Sequence, residues 1–250
     1  MTPPFLTASL PVPHGFFTRQ GGVSAGRFGS LNASLNGRDD PALAAENRAR
    51  VARAMGFAPD RLLGLVQVHG PAVATATAPW AERPTADAMV TATPGLLLGI
   101  VTADCAPVLF ADPEAGVIGG AHAGWRGAVA GVLEATVDAM QALGADPARI
   151  QAAIGPCIGQ ASYEVAADLR DEVLAEDLSA ARFFQTGRPD RWWFDLPAYC
   201  AARLARRGIA ATPPPADTLA DEARFFSYRR GSIAGDLPVG HQISCIGLAS

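Results

Sequence analysis

Four cysteines (Cys105, Cys157, Cys200 and Cys245) in 250 residues are too few and too scattered for a disulfide framework. A reducing, cytoplasmic setting is therefore expected, where free thiols are candidates for metal or catalytic work. Residues 1–20 lack a charged leader and an unbroken apolar stretch, so they are read as no signal peptide. The longest apolar stretch, GLLLGIV near residue 100, falls far short of the about 20 residues that cross a bilayer, and no membrane association is expected. Charged residues are scarce, at 18%, and the acidic ones outnumber the basic by 24 to 20. Nothing in that balance resembles the basic stripe of a nucleic-acid binder. Lysine is missing altogether, which most simply reflects coding bias. Low-complexity linkers, internal repeats and coiled-coil heptads are also absent. Residues 1–250 are accordingly read as a single domain and as a monomer. What is abundant is apolar: 49% hydrophobic residues are ample for a core and exclude intrinsic disorder.

The pattern along the chain is mixed. Residues 21–26 (GGVSAG) read as a loop. Asp40-Pro41 opens a helix running to about Met55, with Gly56 after its end. Strands are expected over 63–69, 87–91, 96–102, 108–111, 117–121, 149–154, 225–228 and 243–248. Helices are expected over 125–143, 163–178 and from Pro197 to before Gly208, and Thr212-Pro213-Pro214-Pro215 as a turn. Strands and helices alternate too irregularly for a βαβ repeat. The fold class is α+β, with mixed or antiparallel sheets flanked by helices.

Two apolar runs flank the turn at residues 112–116 and predict a β-hairpin. Centring the turn on Glu114 makes cross-strand partners sum to about 228, to within one residue, so that Cys105 and His122 lie side by side at the hairpin's open end. Cross-strand neighbours have Cβ atoms roughly 4.5–5.5 Å apart. That separation suits two ligands of one metal, or a thiol and its base. His69 ends an apolar run at a Gly-Pro stop. If that end meets the hairpin, His69, Cys105 and His122 form an N/S/N set that zinc accepts, with a fourth position open for water or substrate. After His122 the chain enters a helix at Trp125-Arg126, where free amides and a guanidinium favour an anion. Cys200 and Cys245 sit in apolar runs and are read as core, as is the Trp192-Trp193-Phe194 cluster; Cys157, in the tight turn at 155–159, is read as packing, with lining of the site as the alternative. His14 has no assigned role.

A larger set of motifs carries a resemblance. HGFFTRQGGVS at 14–24, Ser30-Leu31-Asn32, Glu46-Asn47-Arg48, QVHG at 67–70, TADCAPVL at 102–109, HAGWRG at 122–127, IGPCIG at 154–159, Tyr163-Glu164-Val165 and FSYRR at 226–230 together resemble the YfiH-type laccase-domain family, over almost the whole chain. The resemblance implies one domain of sheets between helices, an α/β/β/α sandwich, and a zinc (or copper) ion held by His69, Cys105 and His122. It implies phosphorolysis of adenosine, inosine and methylthioadenosine with phosphate, and deamination of adenosine. Arg126 and Arg48 are then candidate phosphate contacts, Asn32 a candidate contact to ribose or base, and Asp104 a ligand-orienting group or proton acceptor. Two positions depart from the family pattern: Asp217-Thr218 stands where a Cys-Thr pair is common, and Gly240-His241 where a Gly-Arg pair is common.

Two other enzyme readings compete. A copper-dependent polyphenol oxidase needs more imidazoles than four histidines supply for a multicopper centre. A metal-free amidase or hydrolase, as in editing of peptidoglycan precursors, would use Cys105 as nucleophile, His122 as base and His69 or Asp104 as orienter. A non-catalytic interaction protein is the third alternative, without a charge pattern or apolar groove in its favour.

Overall fold

The computed structural model describes residues 2–249. The expected hairpin is its centre: β7 (Ala106–Asp112) and β8 (Val117–Ala123) are buried at every position, as strands covered on both faces are. Asp112 fixes the turn between them. Its carboxylate, fully buried, accepts the N–H groups of Glu114 and Ala115 at 3.1 Å each and of Asp146 at 2.8 Å, and pairs with Arg149 at 3.0 Å. Pairing runs from Asp112↔Val117 to Ala106↔Ala123, so Pro107 faces His122 and Cys105 lies just ahead of β7, one residue from the expected register.

Two larger sheets grow around this hairpin. One has the order β13 (Ala211–Thr212), β9 (Gln151–Ile154), β7, β8, β5 (Ala88–Thr91), β4 (Val73–Thr75). The other has the order β1 (Phe5–Leu6), β2 (His14–Phe17), β14 (Gln242–Gly247), β6 (Leu97–Thr102), β3 (Leu62–Leu63). Each mixes parallel and antiparallel pairs. Alternation decides what each face meets. Leu98, Ile100 and Ile246 of the second sheet pack against Met89, Leu109 and Ile118 of the first, forming the interlayer. Each such buried side chain contributes about 1.5–3 kcal/mol, enough to fix the face-to-face docking.

The opposite faces take helices. α1 (Pro41–Ala54) lays Val51 and Ala52 on Leu97, Ile243 and Cys245. On the other side α3 (Val132–Ala142) and α5 (Leu196–Ala205) cover Val90, Val108 and Phe110. The layers are therefore α/β/β/α, as expected for an α+β fold. Asp40 starts α1 by accepting the Ala42 N–H at 2.8 Å, a cap that contributes about 1 kcal/mol. A small third sheet, β10 (Glu164–Ala166), β12 (Arg191–Phe194) and β11 (Phe184–Thr186), flanks the stack.

Four expected elements differ. The 63–69 strand stops at Leu63, because the amides of Val68, His69 and Gly70 turn to the Asp87 carboxylate instead of to a neighbouring strand. The 125–143 helix breaks at Gly131, whose φ of 92° lies in the left-handed region, giving α2 (Trp125–Val129) and then α3. The 163–178 helix begins as β10, and only its later part forms α4 (Ala167–Glu176). No strand forms over 225–228: Phe225 and Phe226 are buried in irregular chain, and Ser227 accepts the Arg230 N–H at 3.1 Å to cap α6 (Tyr228–Ala234).

Candidate metal centre

Cys105 precedes β7, His122 lies near the end of β8, Asp87 immediately precedes β5, and His241 immediately precedes β14. The antiparallel pairings of β7 and β5 with β8, and of β6 with β14, bring all four positions to one end of the sandwich. The 64–70 loop folds over the same end. Asp87, wholly buried, is what holds that loop to the sheet. Its Oδ2 accepts the N–H groups of Val68 (3.0 Å) and Gly70 (2.8 Å), and its Oδ1 accepts the N–H of His69 (2.9 Å) and the Nδ1–H of His122 (2.8 Å). One carboxylate thus sets the backbone of one imidazole and the tautomer of the other. With its proton on Nδ1, His122 keeps the Nε2 lone pair for a ligand role. His69 takes a φ of 63°, a left-handed conformation that the three convergent amides hold in place.

His69, Cys105 and His122 converge, and one ligand atom from each lies within 4.8 Å of the other two. Cys105 Sγ is 3.8 Å from His69 Nε2, and the two imidazole rings stand edge to face with centroids 4.7 Å apart. Tetrahedral zinc with bonds of about 2.3 Å to sulfur and 2.0–2.1 Å to nitrogen places those atoms roughly 3.6 Å apart, so the set fits such an ion. Gly124 makes the convergence possible: a Cβ there would stand 2.8 Å from His69 Cδ2 and 3.0 Å from Cys105 Sγ. His122 is buried, Cys105 partly covered and His69 exposed, so the cluster opens on the His69 side. Among the described residues no fourth His, Cys, Asp or Glu joins the group.

The charges are poised for a thiolate. Burial opposes ionisation of Cys105, but the His122 and His69 imidazoles outweigh it and draw the thiol down to about 6. Burial likewise opposes the His122 cation, and the Cys105 thiolate and Asp87 carboxylate outweigh it, raising the imidazole to about 9. Asp87 itself is held below the usual carboxylate range: burial acts against this, and the bonds from His122, Gly70 and Val68 prevail.

The other residues marked by the sequence sit elsewhere around this core. Asp104, at a φ of 86°, turns its buried carboxylate away from the cluster to accept Thr218 Oγ1–H (2.7 Å), Ser227 Oγ–H (2.9 Å) and the Arg229 N–H (2.6 Å). It therefore anchors the chain entering Cys105, and Asp87, not Asp104, orients His122. Burial, only partly offset by those bonds, leaves the Asp104 carboxyl raised. Asn32 is wholly buried, with its amide bonded to Asp39 Oδ2 and to the N–H groups of Ser34 and His241. Arg48 bonds the carbonyls of Ala33, Leu62 and Leu63 and lines a small cavity with Gln67 and Arg83. Burial, with Arg83 nearby, lowers its guanidinium to about 10. Arg126 is exposed, its guanidinium 4.3 Å from the centre of the Trp125 ring.

Sequence reasoning missed three groups. Asp87 stood at the head of an expected strand; a carboxylate opening the apolar run Ala88-Met89-Val90 was the available signal. Tyr163 lies where the charges of Cys105, Arg229, Asp104 and Arg126 meet, and burial raises its hydroxyl above the ordinary range. Arg229 stacks 5.3 Å from the Tyr163 ring centre and donates to the Glu164 carbonyl at 2.7 Å. Of the two departures, Asp217 faces away from the cluster, accepting Ser162 Oγ–H at 2.7 Å and the Leu219 N–H at 2.9 Å. Burial lowers His241 to about 4, and the charges that reach it are those of His122 and His69. His14 is structural: its ring links the Ala8 N–H and the Val12 carbonyl. Cys157, Cys200 and Cys245 are free and buried in the core clusters.

A family model described as "Multi-copper polyphenol oxidoreductase laccase" matches residues 13–249. The chain is 48% identical over 231 residues to a purine nucleoside phosphorylase of Deinococcus radiodurans, covering 91% of this chain and 87% of that protein. It is 44% identical over 225 residues to the purine nucleoside phosphorylase SCO2081 of Streptomyces coelicolor, covering 89% and 92%. The crystal structure of Neisseria meningitidis protein NMB0706 superposes with a TM-score of 0.89 at 34% identity, over 98% of this chain and 99% of that one. YlmD from Geobacillus stearothermophilus superposes with a TM-score of 0.86 at 29% identity, over 99% and 100%.

Proposed function

The chain belongs to the family described as multi-copper polyphenol oxidoreductase laccase, and from that premise we propose that it is a zinc-dependent purine nucleoside phosphorylase. Its substrates are adenosine, inosine and methylthioadenosine with inorganic phosphate, and it also deaminates adenosine. The observation that carries this reading is the His69–Cys105–His122 convergence, set by Asp87, in a chain whose relatives are named purine nucleoside phosphorylases. Zinc fits the mixed N/S donors best, and copper is the other metal they accept. A bound zinc ion supplies a Lewis acid and lowers the pKa of water beside it.

The protein's own groups supply the rest. Arg126, exposed at the start of α2, and Arg229, over the Tyr163 ring, are the guanidinium groups proposed to hold the phosphate. Arg48, bonded to the Ala33, Leu62 and Leu63 carbonyls, is a further phosphate candidate, while Asn32 ties Asp39, Ser34 and His241 together. Asp104 keeps Cys105 in position through Thr218, Ser227 and Arg229. Four free thiols suit a reducing compartment, and no described helix is long and apolar enough to cross a membrane.

A second reading is favoured by one observation. Cys105, His122 and Asp87 form a thiol–imidazole–carboxylate series with the thiol lowered to about 6, the arrangement of a cysteine hydrolase acting on amides. One experiment separates the two: adenosine is incubated with and without inorganic phosphate, and the products are resolved chromatographically. The phosphorylase reading expects adenine and ribose 1-phosphate in equal amounts only when phosphate is present, with inosine and ammonia reporting deamination. Free ribose, or no turnover of any purine nucleoside by zinc-loaded protein, rejects it.

A further inference from the structure

His241 is placed with unusual care for a side chain that bonds to nothing. Its backbone N–H donates to Asn32 Oδ1 at 2.9 Å, and its carbonyl accepts the Ala33 N–H at 3.0 Å. Gly240 before it lies flat on Phe226, where a Cβ would come within 2.6 Å of the ring. The register Gln242↔Thr102 puts His241 beside Ala103, on the chain that runs into Asp104 and Cys105. Yet Nδ1 is buried without a hydrogen-bond partner among the described residues. A buried N–H left unpaired is costlier than a buried lone pair, so Nδ1 carries the lone pair and the proton sits on Nε2. The ring is only partly covered, which leaves Nε2 as the nitrogen that can meet a ligand. A cation would leave a buried Nδ1–H unpaired, so the ring is the neutral Nε2–H form and offers a donor without a charge.

We propose that His241 donates its Nε2–H to a ring nitrogen of the purine as the base departs. The inference rests on the phosphorylase reading. In that reaction a phosphate oxygen bonds to C1′ of the ribose. The C1′–N9 bond breaks with its electron pair passing to the base, and the proton lost by phosphate ends on the base. Negative charge therefore grows on the heterocycle, and a fixed neutral donor is worth more there than in the bound nucleoside. Phosphate, a dianion, is better served by the guanidinium groups; an uncharged imidazole beside the chain that enters Cys105 suits the heterocycle.

The test uses full-length, zinc-loaded protein and two nucleosides whose free bases differ in acidity, inosine and 6-chloropurine riboside, with inorganic phosphate. His241→Phe keeps the ring shape and removes the donor, whereas His241→Gln restores a donor. The expected loss in kcat/KM for His241→Phe is roughly 10- to 100-fold on inosine, the range of one hydrogen bond to a charged acceptor. It is several-fold smaller on 6-chloropurine riboside, whose base leaves more easily. His241→Gln recovers part of the inosine loss, and affinity for free hypoxanthine by calorimetry falls in the Phe variant while zinc stoichiometry stays at wild type. Equal losses on both nucleosides, or none, overturn the proposal while leaving the phosphorylase reading intact. No phosphorolysis by wild-type protein overturns both.

Discussion

Replacing Asp87 with Asn removes one oxygen from a carboxylate that serves four donors. Oδ1 takes His69 N–H and His122 Nδ1–H, and Oδ2 takes Val68 N–H and Gly70 N–H. An amide presents one acceptor oxygen, so whichever way it turns, two donors face an NH2 group. Each lost bond to a charged acceptor is worth about 1.5–3 kcal/mol, giving about 3–6 kcal/mol before relaxation. The 64–70 loop is partly exposed and water recovers some of this, so a net loss of about 2–4 kcal/mol in unfolding free energy is expected. The metal consequence is separate. An amide NH2 facing His122 Nδ1 favours the tautomer with its proton on Nε2, the nitrogen meant for the ion. Outer groups of this kind typically alter metal affinity by roughly 10- to 100-fold. Zinc affinity of Asp87→Asn, measured by competition with a chromophoric chelator, should fall by that factor while circular dichroism stays native. Affinity within threefold of wild type, with the fold intact, would refute the assignment of Asp87 as the residue that orients the ligands.

Three further outcomes follow from the same geometry. In metal-free protein, alkylation of Cys105 by iodoacetamide should rise with pH to a midpoint of about 6, because the imidazoles stabilise the thiolate against burial; His122→Ala should move the midpoint upward, and an unchanged midpoint contradicts the coupling. Gly124→Ala should push the His69 ring and Cys105 sulfur apart, weakening zinc at least about tenfold and shifting the thermal midpoint little, as chelator competition and calorimetry would show. Asp112 is a control remote from the metal. Bonds from Arg149, Asp146 and Ala115 overcome burial and hold its carboxyl below the usual range, so its stabilisation is complete above the ordinary carboxylate pKa of about 3.9 and lost as pH falls through the lowered value. Asp112→Asn should cost about 1–3 kcal/mol at pH 7 by urea unfolding, less at pH 3, and leave zinc affinity unchanged; a larger loss at low pH contradicts the sign.

The hairpin and its two ligands were legible because a strand has a period of two and a short turn fixes its register; the error was a single residue. The α1 boundaries were legible from Asp40, Pro41 and Gly56, local signals that tertiary contacts do not override. His69 was placed correctly in the cluster for a reason that proved different. It does not end a strand; it sits on a loop pinned by a carboxylate 18 residues onward, and such a bond has no local signature. Phe225 and Phe226 misled for a related reason: two buried aromatics read as a strand until Ser227 is seen to cap a helix. Asn32 and Arg48 were visible as motifs, but their partners, Asp39, His241 and the Leu62 and Leu63 carbonyls, are supplied only by the fold.

The most direct test of the central claim is a titration of zinc into metal-free protein, following phosphate-dependent release of adenine from adenosine. Activity should rise from baseline to a plateau at one equivalent, and Cys105→Ala should stay at baseline throughout. Full activity before any zinc is added would contradict the claim and favour the thiol as the working group.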